Sequence, residues 1–378
     1  MSTTVSNTAG PFSLPALARE EWFLAVSVGS SLVFLIWGNP IMGWVHNPVG
    51  LAIVFLWLFG AVLGSVMSVV RHADHLAARL GEPYGTLILT LAVTVVEVMS
   101  ISSVMLHGAN SPTLVRDTLF AVVMIVLNGM VGVSLLIGGW RHHEQQYNLQ
   151  GANAYLGVII PLAVFSLILP NYTVTTTGPT LSGLQEVFLA VMAVALYGTF
   201  LAIQTVRHRR YFMLGEHEDA PELPPGRQRS LKAHTGLLLA FMAPVAYLAE
   251  QLATPLDYSI EVIHAPPALC GAVIAALVAT PEAIGAARAA WANHLQRSAN
   301  IFLGSVLATI GLTVPTMLMI GYCTGTKIIL GVQHSDAVLL PLTLAVSIVT
   351  FASGRTNILQ GVVHLLLFAA YVLFIFQG

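Results

Sequence analysis

Of 378 residues, 56% are hydrophobic and only 8% are charged, against about a quarter charged in an ordinary soluble domain, so a soluble fold is excluded. Fifteen Lys and Arg against 17 Asp and Glu, with a formal net charge of −2, leave no basic surface able to neutralise a run of phosphates, which excludes nucleic acid as a partner. Two cysteines, Cys270 and Cys323, cannot build a disulfide framework or a four-thiolate zinc site.

Residues 1 to 19 carry Ser, Thr, Pro and one late Arg instead of a basic start and a short apolar core, so they do not read as a cleaved signal. The apolar run from Phe23 is then a retained first span. A membrane helix needs about 20 mostly apolar residues to cross a core about 30 Å thick. Eleven such runs follow one another, at 22 to 40, 49 to 70, 84 to 107, 114 to 139, 152 to 169, 184 to 206, 233 to 252, 266 to 289, 298 to 320, 336 to 353 and 356 to 376. The fold class is all-α: a polytopic membrane protein in contact with a lipid bilayer.

Cationic residues favour the cytoplasmic side. With a cytoplasmic N-terminus, 13 of the 15 Lys and Arg fall inside and only Arg116 and Lys327 outside. Trp22, Trp140 and Trp291 then lie at inner boundaries and Trp37 and Trp44 at the outer one, as an aromatic belt requires. The long hydrophilic stretch, 207 to 232, runs from RHRR through acidic EHEDAPE to PPGRQRSLK. It divides the chain into a tail with an extra first helix (1–48), a five-helix block (49–206), the cytoplasmic linker (207–232) and a second five-helix block (233–378). Blocks of odd number enter the membrane in opposite senses, the setting for inverted repeats.

The third span aligns Thr86, Thr90, Thr94, Glu97 and Ser100 on one helix face. Glu97 lies roughly 16 Å along the axis from Thr86, near mid-membrane. A matching carboxylate, Glu282, follows Pro281 in LVATPEAIGAA. That proline withholds an N–H and frees the carbonyl of Leu277, an oxygen suited to a cation. In the ninth span Ser298, Ser305, Thr309, Thr313 and Thr316 share a face. An intramembrane carboxylate costs at least about 2.5 kcal/mol, so two in mirrored positions ask for a function. The bland reading makes each Glu a protonated structural acid bonded to a neighbouring hydroxyl, and hydroxyl stripes commonly pack helix on helix. Glu186 and Glu250 are expected near outer span ends. His72, His75, His142 and His143 are expected in cytoplasmic loops as solvated groups, and His364 beside a helix neighbour. Glu216, Glu218, Asp219 and Glu222 read as a solvated linker.

The stretches GEPYGTLILTLAVTVVEV (81 to 98), RDTLFAVVMIVLNGMVG (116 to 132) and TPEAIGAARAAWANHLQRSANIFLGSVLATIGLTVP (280 to 315) resemble the bacterial calcium/proton antiporters of the cation/calcium exchanger superfamily. The resemblance implies one extra helix plus two inverted five-helix halves joined by an acidic cytoplasmic segment. It implies Glu97 and Glu282 as the central cation and proton ligands. A second motif, Gly-Ser-x-x-x-Asn, survives as Gly304, Ser305 and Thr309, while its first copy keeps only Asn128. Thr94, Asn128, Ser305 and Thr309 thereby join the expected ligands. Where many members place Gly-Asn ahead of each Glu, this chain has Val93-Thr94 and Val278-Ala279.

Charge arithmetic gives the expected mechanism. Two ionised carboxylates with one Ca²⁺ are neutral, two protonated carboxylates are neutral, and the empty ionised pair carries −2, which is costly to move through a dry intermediate. Exchange of Ca²⁺ for protons is the expected function, in a prokaryotic inner membrane, with no cofactor and no enzymatic activity. One Na⁺ or K⁺ plus one proton is also neutral, so monovalent exchange is the alternative. A cation channel and an intramembrane hydrolase stand further off, the latter because Asp74, Asp117, Asp219, Asp257 and Asp336 are expected in loops or at span ends and no His pair accompanies either Glu on its helix. A homo-oligomer is compatible with this composition.

Overall fold

The structure, a computed structural model, describes residues 20–81, 84–107, 112–214 and 230–377. It consists of eleven helical segments: α1 (Trp22–Met42), α2 (Pro48–Leu80), α3 (Tyr84–His107), α4 (Leu114–His142), α5 (Leu149–Asn171), α6 (Gly183–Arg207), α7 (Leu231–Glu261), α8 (Ala268–Trp291), α9 (Leu295–Thr324), α10 (Asp336–Thr350) and α11 (Ile358–Gln377). Among the described residues, ten are long and apolar enough to cross a membrane, and α10, at 15 residues, is a shorter apolar helix. Several of their starts carry side-chain caps. The Asn47 side chain accepts from the Val49 N–H ahead of α2, Asn148 does the same for Gln150 in α5, and Ser182 with Gln185 closes a capping box on α6.

Hydrogen bonds between connections sort the loops into two faces. The segments after α4 and α10 pair as a two-residue antiparallel ladder, Gln145 opposite Thr356. Gln145 also donates to the Ala290 carbonyl at the end of α8 (2.8 Å), and Asn148 to the Arg210 carbonyl after α6 (3.1 Å). At the opposite face the Ile329 N–H after α9 donates to the Pro112 carbonyl before α4 (2.9 Å), and Gly331 to Pro179 before α6 (3.3 Å). The first face carries Arg141, Arg207, Arg209, Arg210, Arg288 and Arg297; we call it the arginine-rich face.

At the centre α2 lies against α7. Around that pair, α3 meets α7 and α2 meets α8, α4 meets α8 and α3 meets α9, and α4 meets α11 and α9 meets α6. Exchanging α2–α6 for α7–α11 turns each of these pairings into another. α4 and α9 are each interrupted by one widened turn with i→i+5 hydrogen bonds, at Ile125–Met130 and Thr309–Thr313. In α9 the following Pro315 supplies no N–H, which favours the irregular turn.

Two expectations change. α2 continues to Leu80, beyond the expected end at 70, because RHADHLAARL holds no breaker before Gly81, whose φ is +64°. His72 and His75 therefore lie on a helix and are buried against α7, not solvated in a loop. The His72 ring lies 5.3 Å from that of His234 and the His75 ring stacks on it at 4.6 Å, while Glu21 Oε2 is 3.4 Å from His72 Nε2. Likewise α7 continues to Glu261, which places Glu250 inside a helix instead of at its end.

Candidate cation-binding site

The polar face of α3 is turned toward α9, and α8 closes the third side. Glu97 is 1% exposed. Its Oε2 accepts from the hydroxyls of Thr309 (3.0 Å) and Thr313 (3.1 Å). Both donors belong to the widened turn of α9, so the backbone irregularity and the hydroxyl pair occupy the same place. Among the described residues, Oε1 of Glu97 has no hydrogen-bond partner although it is buried, the condition of an oxygen open to a proton or a cation. Glu282 of α8 accepts from the Ser305 hydroxyl of α9. One helix thus supplies hydroxyl donors to both acids.

The two glutamates line one cavity of about 440 Å³, together with Thr94, Ser305 and Thr309. It extends to Asp74, Arg209 and Arg297, at the arginine-rich face. Glu97 forms its buried end, whereas Glu282 is half-buried on its wall. Pro281 and Gly285, one residue before and three after Glu282, also face the space.

Of the six residues expected from the sequence to hold a cation, Glu97, Glu282, Thr94, Ser305 and Thr309 meet here. Asn128 does not line the cavity. Its amide donates to Thr343 of α10 (2.9 Å), and its carbonyl oxygen is 3.2 Å from His364 Nδ1 of α11. His364 Nε2 lies 2.9 Å from the Thr350 hydroxyl. With Asn128 accepting, Nδ1 carries the proton and Nε2 accepts from Thr350. Asn128 therefore ties α4 to α10 and α11.

Thr313 and Asp74 were not among the expected ligands. Thr313 stood in the hydroxyl stripe, but which member reaches Glu97 depends on the widened turn. Asp74 was placed at a span end and is instead inside α2, half-buried on the cavity wall. Thr316 bonds its own helix at the Leu312 carbonyl, and Ser100 bonds Val96. The acidic cluster of the linker and the Thr86 side chain lie outside the described residues.

A profile of the sodium/calcium exchanger protein family matches residues 50–206 and 233–377. The chain belongs to that family. It is 40% identical over 363 residues to the sodium-potassium/proton antiporter ChaA of Escherichia coli, spanning 95% of this chain and 97% of that protein. To the Ca²⁺/H⁺ antiporter ChaA of Bacillus subtilis it is 23% identical over 272 residues, spanning 68% and 75%. The solved structure of native YfkE superposes with a TM-score of 0.73 at 19% identity, over 94% of this chain and all of that one, a likeness of fold.

Proposed function

We propose that this protein exchanges Na⁺ or K⁺ for protons across a prokaryotic plasma membrane, with Glu97 and Glu282 as the groups that bind cation and proton by turns. The observation that carries this reading is the convergence of two acids from α3 and α8 on one cavity, each held by α9 hydroxyls and one with an unpartnered buried oxygen. Thr94, Ser305 and Thr309 complete the oxygen set. The pairwise exchange of contacts between α2–α6 and α7–α11 supports two inverted halves, 49–206 and 233–378, preceded by an extra helix in 1–48 and joined by a cytoplasmic linker at 207–232.

Neutrality dictates the steps. From the arginine-rich side, a cation with one proton, or two protons, brings the pair of carboxylates to zero net charge, and either neutral form passes through a closed intermediate. The empty −2 form stays behind. Each full cycle swaps one monovalent cation for one proton, so the exchange is electroneutral. The hydroxyls of Thr309 and Thr313 favour the ionised Glu97 by donating to it, which lets a cation compete with the proton there.

The monovalent cargo is favoured over Ca²⁺ by the 40% identical antiporter named for sodium and potassium. It fits two acids whose hydrogen-bond partners are three hydroxyls, a small oxygen set beside the six to eight oxygens that Ca²⁺ takes. Ca²⁺ exchange for two protons is the second reading, favoured by the four carboxylate oxygens. Cation-induced proton movement in inverted vesicles of an antiporter-deficient host, measured with Na⁺, K⁺ and Ca²⁺ in turn, tests the choice. Response to Na⁺ or K⁺ with none to Ca²⁺ is expected; a response to Ca²⁺ alone reverses it.

A further inference from the structure

Beyond the central acids, each half of the chain carries an Arg and an Asp in matching places. Arg116 lies 12 residues before Asn128 at the start of α4, and Arg297 lies 12 residues before Thr309 at the start of α9. Asp74 stands six residues from the end of α2 and Asp257 four from the end of α7. Because the halves are inverted, Asp74 and Arg297 fall at the arginine-rich face and Asp257 and Arg116 at the opposite one. Each face thus receives an Asp from one half and an Arg from the other.

The equivalent positions differ in environment. Arg116 is 7% exposed, donates from Nε to Asp117 Oδ1 (2.8 Å) and from a terminal nitrogen to the Gly331 carbonyl (3.2 Å), and so ties α4 to the loop after α9. Thr113 holds the other Asp117 oxygen (2.9 Å). Asp257 and Asp117 both lie within electrostatic reach of Cys270 at the start of α8. There α8 packs so closely on α4 that a Cβ on Gly271 would collide with the Asp117 backbone. Arg297 is exposed, and it shares the cavity wall with Asp74, within reach of its charge. The start of α9 is correspondingly less covered by α3 than the start of α4 is by α8. One face is shut around its arginine, and the other stands open around its own.

We propose that Arg116, which bonds Asp117 and the Gly331 carbonyl, and Arg297 with Asp74 are reciprocal locks that decide which face of the membrane the central glutamates see. When Arg297 closes on Asp74, the cavity is sealed from the arginine-rich face and the Arg116 lock opens. A buried arginine suits a lock because it is costly to leave without its acceptors, here the Gly331 carbonyl across the loop after α9, so intermediate positions are disfavoured. The place of Asp117 is taken in the second half by Ser298, which gives the inner lock one acid fewer. The lock rests on the inverted-halves reading of the proposed function, not on which cation is carried.

The test reads accessibility. In the full-length protein with Cys270 and Cys323 replaced by Ala, Ile301→Cys places a thiol on the cavity wall, and its reaction rate with a charged, membrane-impermeant maleimide is measured from the arginine-rich face in liposomes. Arg297→Gln should raise the rate severalfold and Arg116→Gln should lower it severalfold, in each case with a folded protein by thermal melting. If Arg116→Gln does not fold, Arg116→Lys, which keeps the charge and loses the fork, carries that arm with a smaller fall. The swap Asp74→Arg with Arg297→Asp should return the rate to within twofold of the parent, whereas either single change should not. Shifts of both arginine variants in the same direction, or a swap no better than its single members, would overturn the lock. Labelling needs no transport, so absent exchange in the parent would sink the proposed function and leave this result readable.

Discussion

Asn128 and Thr309 occupy the widened turns of α4 and α9, yet only Thr309 reaches a carboxylate, 3.0 Å from Glu97, while Asn128 is turned away to Thr343 and His364. The site is asymmetric: α9 serves both acids, and the matching turn of α4 serves the packing of α10 and α11. That division makes the two turns separable by experiment.

Removing the Asn128 amide should cost stability and not selectivity. Asn128→Leu leaves the buried His364 Nδ1–H and the Thr343 hydroxyl without their partner, a loss of about 1–3 kcal/mol. The melting temperature should fall in detergent, while the ratio of Na⁺ to Ca²⁺ response in the surviving protein stays at the parental value. A changed ratio would return Asn128 to the cation path.

Thr313→Val keeps the shape of the side chain and deletes one of the two donors to Glu97. The acid then holds its proton more tightly, so the apparent KM for the driving cation should rise about tenfold, the equivalent of one hydrogen bond to a charged group. The increase should be larger at low pH than at high. Thr316→Val, whose hydroxyl bonds only the Leu312 carbonyl of its own helix, should leave KM alone and serves as the control.

Proton and cation share the same oxygens, which fixes the sign of the pH dependence. Lowering the pH on the cation-loading side protonates Glu97 and Glu282 and should raise the cation KM. Raising it on both sides removes the returning protons and should lower the maximal rate. A cation KM independent of pH would separate the two binding sites.

The paths of α1 to α11 and the sorting of their loops place Gln377 on the face opposite Arg207 and Leu231. With positive charge held inside, substituted-cysteine labelling should find the linker cytoplasmic and the C-terminal end external. Labelling of both from one side would break the eleven-span path.

Much of this architecture was legible because bilayer physics is written in composition. The all-α class, the number of apolar helices and the placing of Glu97 and Glu282 within them follow from run length, charge position and the cost of a carboxylate in lipid. The burial of His72 and His75 was not legible, since α2 outruns its apolar stretch and its last turns are covered by α7. The choice of Thr313 over Thr316, and the turning away of Asn128, depend on one extra residue per widened turn, which rotates everything after it. No pattern of residue types in α4 announces that rotation. Asp74 follows the apolar run of its span, where the helix continues and the cavity begins.

The central claim is that neither acid can be spared. Glu97→Gln and Glu282→Gln keep shape and most hydrogen-bonding capacity while each removes one charge and one proton site. The decisive measurement is cation-driven proton movement by each single variant, purified, shown to be folded and reconstituted into liposomes, with the driving cation taken from the parental response. The account predicts exchange close to background for both variants at normal insertion. Near-parental exchange by either one would contradict it and leave that glutamate a structural acid held by its α9 hydroxyls.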